Sequence, residues 1–346
     1  MKIIFLNLYS GKVERGAESF AHELAERFKK EHQVLFLKGN SDQVPTHQFS
    51  GNTFQKWFNL KRWFLDTASR HIFIFSVSQL LFIWRERPDW VIPMNGFWQV
   101  LLLKLLQPIR GYKILITGHS GPGWDERWNL YLHPNVFVAT TQPALEWAKK
   151  TCSWTHVKLI PYGIDPGMFH PGIEPGNKLK LNFERPVFLC PSALVAYKRI
   201  DLSIKAVSEL DKGSLIVLGK GPLKKKLKNF GKNLLGKRFV LDSVSYSQMP
   251  TMYSMADVVT LPSDPQENSP MVYVEALASG KPIVATDAPR VRWALEDSAI
   301  YVDPTDIKSY AQALEKALHI KVSPHKALEK FLWENVLIQY ESILKS

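Results

Sequence analysis

Two glutamates with seven residues between them, Glu267 and Glu275, and the pair Ser269-Pro270 inside that interval form the group best suited to chemistry in this sequence. Ser269 is a hydroxyl N-cap, and Pro270 takes the first helical position, where its missing N–H costs nothing. A helix starting there leaves the amides of Met271 and Val272 directed at whatever lies ahead of it, which makes an anion site suited to a diphosphate. Glu267 and its neighbour Asn268 lie in the loop before the helix, and Glu275 lies about a turn and a half inside it. One carboxylate is thereby near the sugar end of a ligand, and the other can accept two hydroxyl hydrogen bonds, as a ribose offers. A second candidate is His119, which ends the apolar run from Lys113 and precedes Ser120-Gly121-Pro122-Gly123-Trp124. A histidine at the carboxyl end of a strand can hydrogen-bond a sugar hydroxyl or assist an acceptor.

With its flanks, Leu261-Pro262-Ser263 on one side and Glu275 through Gly280 to Val284 on the other, the stretch resembles the Glu-x7-Glu motif of the retaining glycosyltransferases of family 4, also called glycosyltransferase group 1. Further segments follow in that family's order over nearly the whole chain. Val157 to Asp165, with Phe169 and Pro171, is similar to the domain-crossing segment, and Leu194 to Asp201 is similar to the first strand-to-helix loop of the C-terminal domain. Gly219 to Pro222 and Met255 to Ser263 complete the run.

The resemblance implies an α/β protein of GT-B fold, two Rossmann-like doubly wound domains facing across a cleft. It implies retaining transfer of a sugar from a UDP- or GDP-linked donor to a hydroxyl of a saccharide or lipid-linked acceptor, in glycan, cell-envelope polysaccharide or glycolipid synthesis. Neither a metal nor another cofactor is expected. Carried over by position, Lys198 contacts the donor diphosphate with Arg199 beside it, and Glu267 meets the donor sugar while Glu275 meets the ribose. Asn268, Ser269, Met271 and Val272 complete the donor side. Gly16, within Glu14 to Glu18, resembles the family's glycine-rich loop and lets the backbone approach the donor; His119 falls beside the transferred sugar. One cation at ~4 Å from a diphosphate is worth about 4 kcal/mol at an effective dielectric of 20, which suits Lys198 to leaving-group stabilisation. The sequence also departs from the pattern. Ser192 and Ala193 stand where the family has a Gly-Arg pair, Arg15 replaces a loop glycine, and Ala288 to Arg292 replaces another glycine pair. Arg199 or Lys220 would have to compensate for the missing cation. These departures motivate an alternative, a catalytically silent GT-B homologue acting as a binding or scaffold subunit.

The elements that position these residues read as alternating short apolar runs and helical patterns, the mark of parallel α/β domains. Strands are expected at Lys2–Leu8, Gln33–Leu37, Trp90–Met94, Lys113–His119 and Val136–Thr140. A second series is expected at Val187–Ser192, Ser214–Gly219, Phe239–Val244, Val258–Pro262, Pro282–Thr286 and Ala299–Val302. Phe20, Leu24 and Phe28 recur on one face of a helix over Glu18–Lys30. The Gly/Pro-rich stretch Pro161 to Gly172 separates an N-terminal acceptor-side domain (1–162) from a donor-binding domain (163–322). A closing helix over Pro324–Lys345, within a segment 323–346, is expected to pack back toward the first domain. In such sheets ligands bind outside the carboxyl ends of the strands, so chemistry belongs in the loops that follow them.

A formal net charge of +12 favours anionic partners. No nucleic-acid recognition motif accompanies it, so nucleic acid is not an expected partner. No Asp-x-Asp pair occurs, and neither Cys152 nor Cys190 has the paired Cys/His spacing of a zinc site. The apolar run from Ile72 to Trp84 is short of the ~20 residues a bilayer span needs. A reduced, cytoplasmic protein is the expectation. Nine of the eleven tryptophans precede residue 162, and Phe54, Trp57, Phe58, Trp63 and Phe64 interleave with Lys56, Lys61 and Arg62. Such a basic aromatic segment can lie on an anionic membrane surface, which would make the protein peripheral on the inner face, or it can pack in a core.

Overall fold

The computed structural model describes residues 1–10, 16–39, 63–174, 183–265, 271–320, 322 and 326–346. The chain divides into two compact units, Met1–Pro161 with Leu337–Ser346 and Tyr162–Val336. Each is built on a parallel sheet with its own hydrophobic core.

In the first unit the strands are β1 (Lys2–Asn7), β2 (Gln33–Lys38), β3 (Trp90–Pro93), β4 (Lys113–Gly118), β5 (Val136–Ala139) and β6 (Val157–Leu159), in the order β2-β1-β3-β4-β5-β6. The interior of β1, Ile3 to Leu6, is buried on both faces, as a parallel sheet covered by helices requires. Its helices are α1 (Gly16–Phe28), α2 (Thr67–Glu86), α3 (Phe97–Arg110), α4 (Trp124–Tyr131) and α5 (Gln142–Thr151). The four-residue recurrence of Phe20, Leu24 and Phe28 is the buried stripe of α1.

The second unit carries β7 (Val187–Pro191), β8 (Ser214–Leu218), β9 (Phe239–Asp242), β10 (Val258–Leu261), β11 (Ile283–Thr286) and β12 (Ile300–Val302), in the order β12-β11-β10-β7-β8-β9. Its helices are α6 (Ile200–Ser208), α7 (Lys224–Leu235), α8 (Met249–Met255), α9 (Met271–Ala278), α10 (Pro289–Leu295) and α11 (Ile307–Ala317). From β7 the chain extends the sheet through β8 and β9, then crosses over to β10 and continues the other way. The strand order therefore reverses between β7 and β10, and in the first sheet between β1 and β3. Such switch points open the crevice where doubly wound sheets bind ligands.

The expected closing helix is not one helix. A 3-10 turn over Lys326–Phe331 precedes α12 (Trp333–Leu344), and the break lies at Leu332. There Ile164 N–H donates to Phe331 O at 2.7 Å, and Ile164 pairs with Leu332 in an isolated parallel bridge. Backbone groups engaged in that bridge cannot also serve an unbroken helical ladder. Ile164 and Phe169, from the stretch expected to link the domains, belong to the core of the second unit.

No helix among the described residues is long and apolar enough to cross a membrane. Of the aromatic segment expected over Phe54 to Phe64, residues 54–62 lie outside the described residues. Trp63 is 64% exposed, and Phe64 stacks on Phe97 with ring centroids 4.3 Å apart.

Candidate functional site

Three loops at the carboxyl ends of β10, β7 and β8 meet at the switch point of the second sheet. The loop after β7 turns through Ala196–Lys198 and enters α6 at Arg199, which holds the left-handed conformation at φ 46°. That conformation costs an L-residue of this kind about 1–2 kcal/mol, and the side chain secures it. Arg199 Nε donates to Pro262 O at 2.9 Å and Nη2 to Ser263 O at 2.8 Å, while Asp264 N–H donates to Tyr197 O at 2.8 Å. Arg199 thus fastens the β7 and β10 loops together, a different use from the compensating phosphate contact that its position suggests. The β8 loop fits beneath. Leu194 N–H donates to Lys220 O at 2.9 Å, and a Cβ at Gly219 would stand 1.8 Å from Ser192 O. Only glycine permits two backbones so close. Lys220 itself is exposed.

Lys198 ends the 3-10 turn and is only 8% exposed. Burial lowers its pKa to about 8, with the Cys190 thiol nearby acting in the opposite sense. Cys190 does not ionise near neutrality, since burial pushes it up to about 12. An ammonium held in this setting is poorly solvated, and an arriving phosphate anion would restore its charge.

Glu275 lies inside α9 and is 7% exposed. Tyr253, from α8, donates its hydroxyl to Glu275 Oε2 at 2.7 Å, and the Tyr246 hydroxyl also donates to this carboxylate. Burial raises the Glu275 pKa to about 7, opposed by these tyrosine bonds. Phe169 packs against both tyrosines, at ring separations of 5.8 Å. Tyr273, two residues before Glu275 on α9, donates to Leu261 O and pins the helix to the end of β10. Met271 and Val272 are the first described residues of α9 and are half-buried. Glu267, Asn268 and Ser269, with Pro270 expected to open the helix, lie outside the described residues.

The other two expected residues belong to the first unit. His119 follows β4 with its ring edge-on to Phe20 at 6.1 Å, and burial lowers its pKa to about 4, so it is neutral at pH 7. Behind it sits an acid that the sequence did not flag. Glu126 on α4 accepts Ser120 N–H at 3.0 Å on one oxygen and the Asn129 amide at 3.0 Å on the other, and burial raises its pKa to about 7. It fixes the loop that follows His119. Gly16 is the first residue of α1 and is exposed, and a Cβ there would meet nothing within 4 Å. The fold itself therefore sets no steric need for glycine at that position.

Tyr246, Tyr253 and Glu126 were the functional candidates missed in the sequence. Tyr246 falls in the capped turn Ser245 to Gln248 and Tyr253 on a seven-residue helix, where no spacing marks them. Among the described residues one group has metal-ligating atoms within 4.8 Å of one another: Glu31, His32 and Glu341. It contains none of the residues above.

The family described as "Glycosyl transferases group 1" matches residues 176–331. The GDP-mannose-dependent alpha-(1-6)-phosphatidylinositol monomannoside mannosyltransferase of Mycolicibacterium smegmatis is 27% identical over 172 residues, 45% of this chain and 45% of that protein. The chain spans less than half the length of the curated relatives it matches. In three dimensions it superposes on sucrose-phosphate synthase of Thermosynechococcus elongatus with a TM-score of 0.81 at 15% identity, covering 100% of this chain and 98% of that one. It also superposes on Anabaena Alr3699/HepE in complex with UDP-glucose, with a TM-score of 0.74 at 18% identity, covering 100% and 99%. Two six-stranded parallel sheets shared along the full length with these structures make the fold GT-B.

Proposed function

We propose, from the premise that residues 176–331 belong to the group 1 glycosyl transferases, that this chain transfers a hexose from a nucleoside-diphosphate donor to a hydroxyl acceptor with retention and without a metal. The observation that carries this reading is the pair of buried ionisable groups in the second unit, Lys198 beside the β7 loop and Glu275 within α9, at a switch point whose loops are stitched together by Arg199. Lys198 and the amides at the start of α9 bind the diphosphate, and Glu275 accepts from the ribose. Glu267 contacts the donor sugar, and His119 serves the reacting sugar as a neutral imidazole.

In the transfer, the bond from the anomeric carbon to the diphosphate oxygen breaks as the acceptor oxygen bonds to the same face. The acceptor proton passes to the departing phosphate oxygen, so no enzymatic nucleophile is required. Charge on the leaving group is met by Lys198 and helix amides, the role a bound divalent ion plays in sites with an Asp-x-Asp clamp. The acceptor is a saccharide or lipid-linked hydroxyl, and the setting is cytoplasmic glycan or glycolipid synthesis. The matched relatives are named as transferases, which gives the silent-subunit reading no support.

The test is thermal unfolding with UDP, GDP and ADP in EDTA. One of them should raise the melting temperature by the mass-action term, and added Mg²⁺ should not be needed. Strict dependence of the shift on Mg²⁺ or Mn²⁺ would refute the metal-free mechanism.

A further inference from the structure

Helix α2 is apolar on both its inward and its outward side, unlike an ordinary solvated element. Its buried side carries Ser69, Phe75, Ser76 and Ile83. Its outward side carries Phe73 (38% exposed), Ile74 (46%), Val77 (44%), Leu81 (60%) and Phe82 (37%). At helical spacing Phe73, Ile74, Val77 and Leu81 fall on one stripe, with Arg70 and Arg85 exposed on the same side at its two ends. From Arg70 to Arg85 the stripe is about 22 Å long. The neighbouring helix α3 also exposes apolar side chains, Leu105 (67%) and Ile109 (68%). An apolar stripe of four exposed side chains along one helix marks an interaction site rather than ordinary surface scatter.

Charge selects the partner. The three acids of this region are occupied within the unit: Asp66 caps α2 through Ala68 and Ser69 N–H, Glu86 pairs with Lys2 Nζ at 3.0 Å, and Asp89 accepts Lys2 N–H at 2.6 Å. What faces outward at the two ends of the apolar stripe is therefore arginine, Arg70 and Arg85, while Arg87 is exposed just past the helix and Arg110 stacks on Trp84 at 3.5 Å. An apolar face flanked by guanidinium groups is complementary to a bilayer with anionic headgroups, with side chains entering the interface and arginines meeting phosphates. We infer that the outward face of α2 docks on an anionic lipid bilayer. The surface lies on residues other than the aromatic segment before residue 63, and it deepens the lipid-linked acceptor reading by naming where the lipid would be met.

The experiment uses the whole chain, co-sedimented with vesicles of phosphatidylcholine alone and of phosphatidylcholine mixed with phosphatidylglycerol. Sedimentation reads docking and not transfer, so failure of the transfer reading would leave this result standing, and the converse holds. Wild-type protein should bind the mixed vesicles and be only partly released by salt. Arg70→Gln with Arg85→Gln should weaken that binding about thirtyfold and remove the preference for anionic lipid. Val77→Asp with Leu81→Asp should weaken it by roughly tenfold or more at an unchanged melting temperature. Any of several results would overturn the inference. They are equal binding by the aspartate variant, no binding of wild type to the mixed vesicles, and a wild-type dimer that the aspartate variant converts to monomer with neither form on vesicles, which would make the occupant a second copy. A large drop in melting temperature for the aspartate variant would also overturn it, by showing the face covered within the chain.

Discussion

A buried lysine awaiting a diphosphate makes affinity depend on pH in a specific sense. The Lys198 pKa is lowered from 10.5 to about 8, so the free protein loses this charge as pH rises through about 8. Nucleotide affinity measured by calorimetry should fall over that interval, with proton uptake on binding. Lys198→Gln should bind weakly throughout and lose the slope; a flat profile in the wild type would remove Lys198 from the diphosphate. Glu275 titrates in the opposite direction. Its carboxyl is raised from 4.5 to about 7, so between those values the folded form keeps a proton that the unfolded form has released. The associated stability is fully present below about 4.5 and is lost as pH rises through about 7. Glu275→Gln should flatten that part of the melting profile. Tyr253→Phe removes a hydroxyl donated to Glu275 at 2.7 Å and should cost about 1–3 kcal/mol of stability, measured by denaturant titration. Glu275 was legible because its spacing from Glu267 and its helix follow from local sequence. Tyr246, Tyr253 and Glu126 acquire their roles only when remote segments pack, and no local pattern announces that.

At the scale of elements, the sharpest expectation concerns the β8 loop. Gly219→Ala puts a methyl 1.8 Å from Ser192 O, so the β7 loop must move. Stability should drop by several kcal/mol, and nucleotide affinity should drop with it because Lys198 rides on that loop. Retention of wild-type melting and affinity would show that the loops are not coupled. Most strands were readable because parallel strands covered on both faces form short continuous apolar runs, as Val187–Pro191 does. Strand β6 was not anticipated: three residues, with Lys158 exposed between Val157 and Leu159, are too few to set a period. The break at Leu332 was equally hidden, because it depends on pairing with Ile164, far away in the chain. A continuous helical pattern in sequence cannot register a backbone partner of that kind.

For the whole molecule, the division of the chain is not the division of the sequence into halves. The first unit takes back Leu337–Ser346, and Tyr340 from this segment is fully buried in it, against Phe20 and Phe28, with its hydroxyl 3.3 Å from Thr117 Oγ1. Trp90 Nε1 donates to Leu344 O at 3.1 Å, and His32 Nε2 lies 2.7 Å from Glu341 Oε1. Tyr340→Ala should therefore destabilise the first unit by about 3–5 kcal/mol, read by hydrogen exchange in β1 and β4, while nucleotide affinity of the second unit stays the same. Accelerated exchange confined to the second unit would contradict that assignment.

The same feature sets an order in time. A ribosome releases Met1–Pro161 long before Leu337–Ser346, and the whole of Tyr162–Val336 emerges in between. At about 5–20 residues per second that interval lasts on the order of ten to thirty seconds. Through it the first unit lacks the ring of Tyr340, which in the finished protein packs against Phe20 and Phe28. The unit made first is thus finished last.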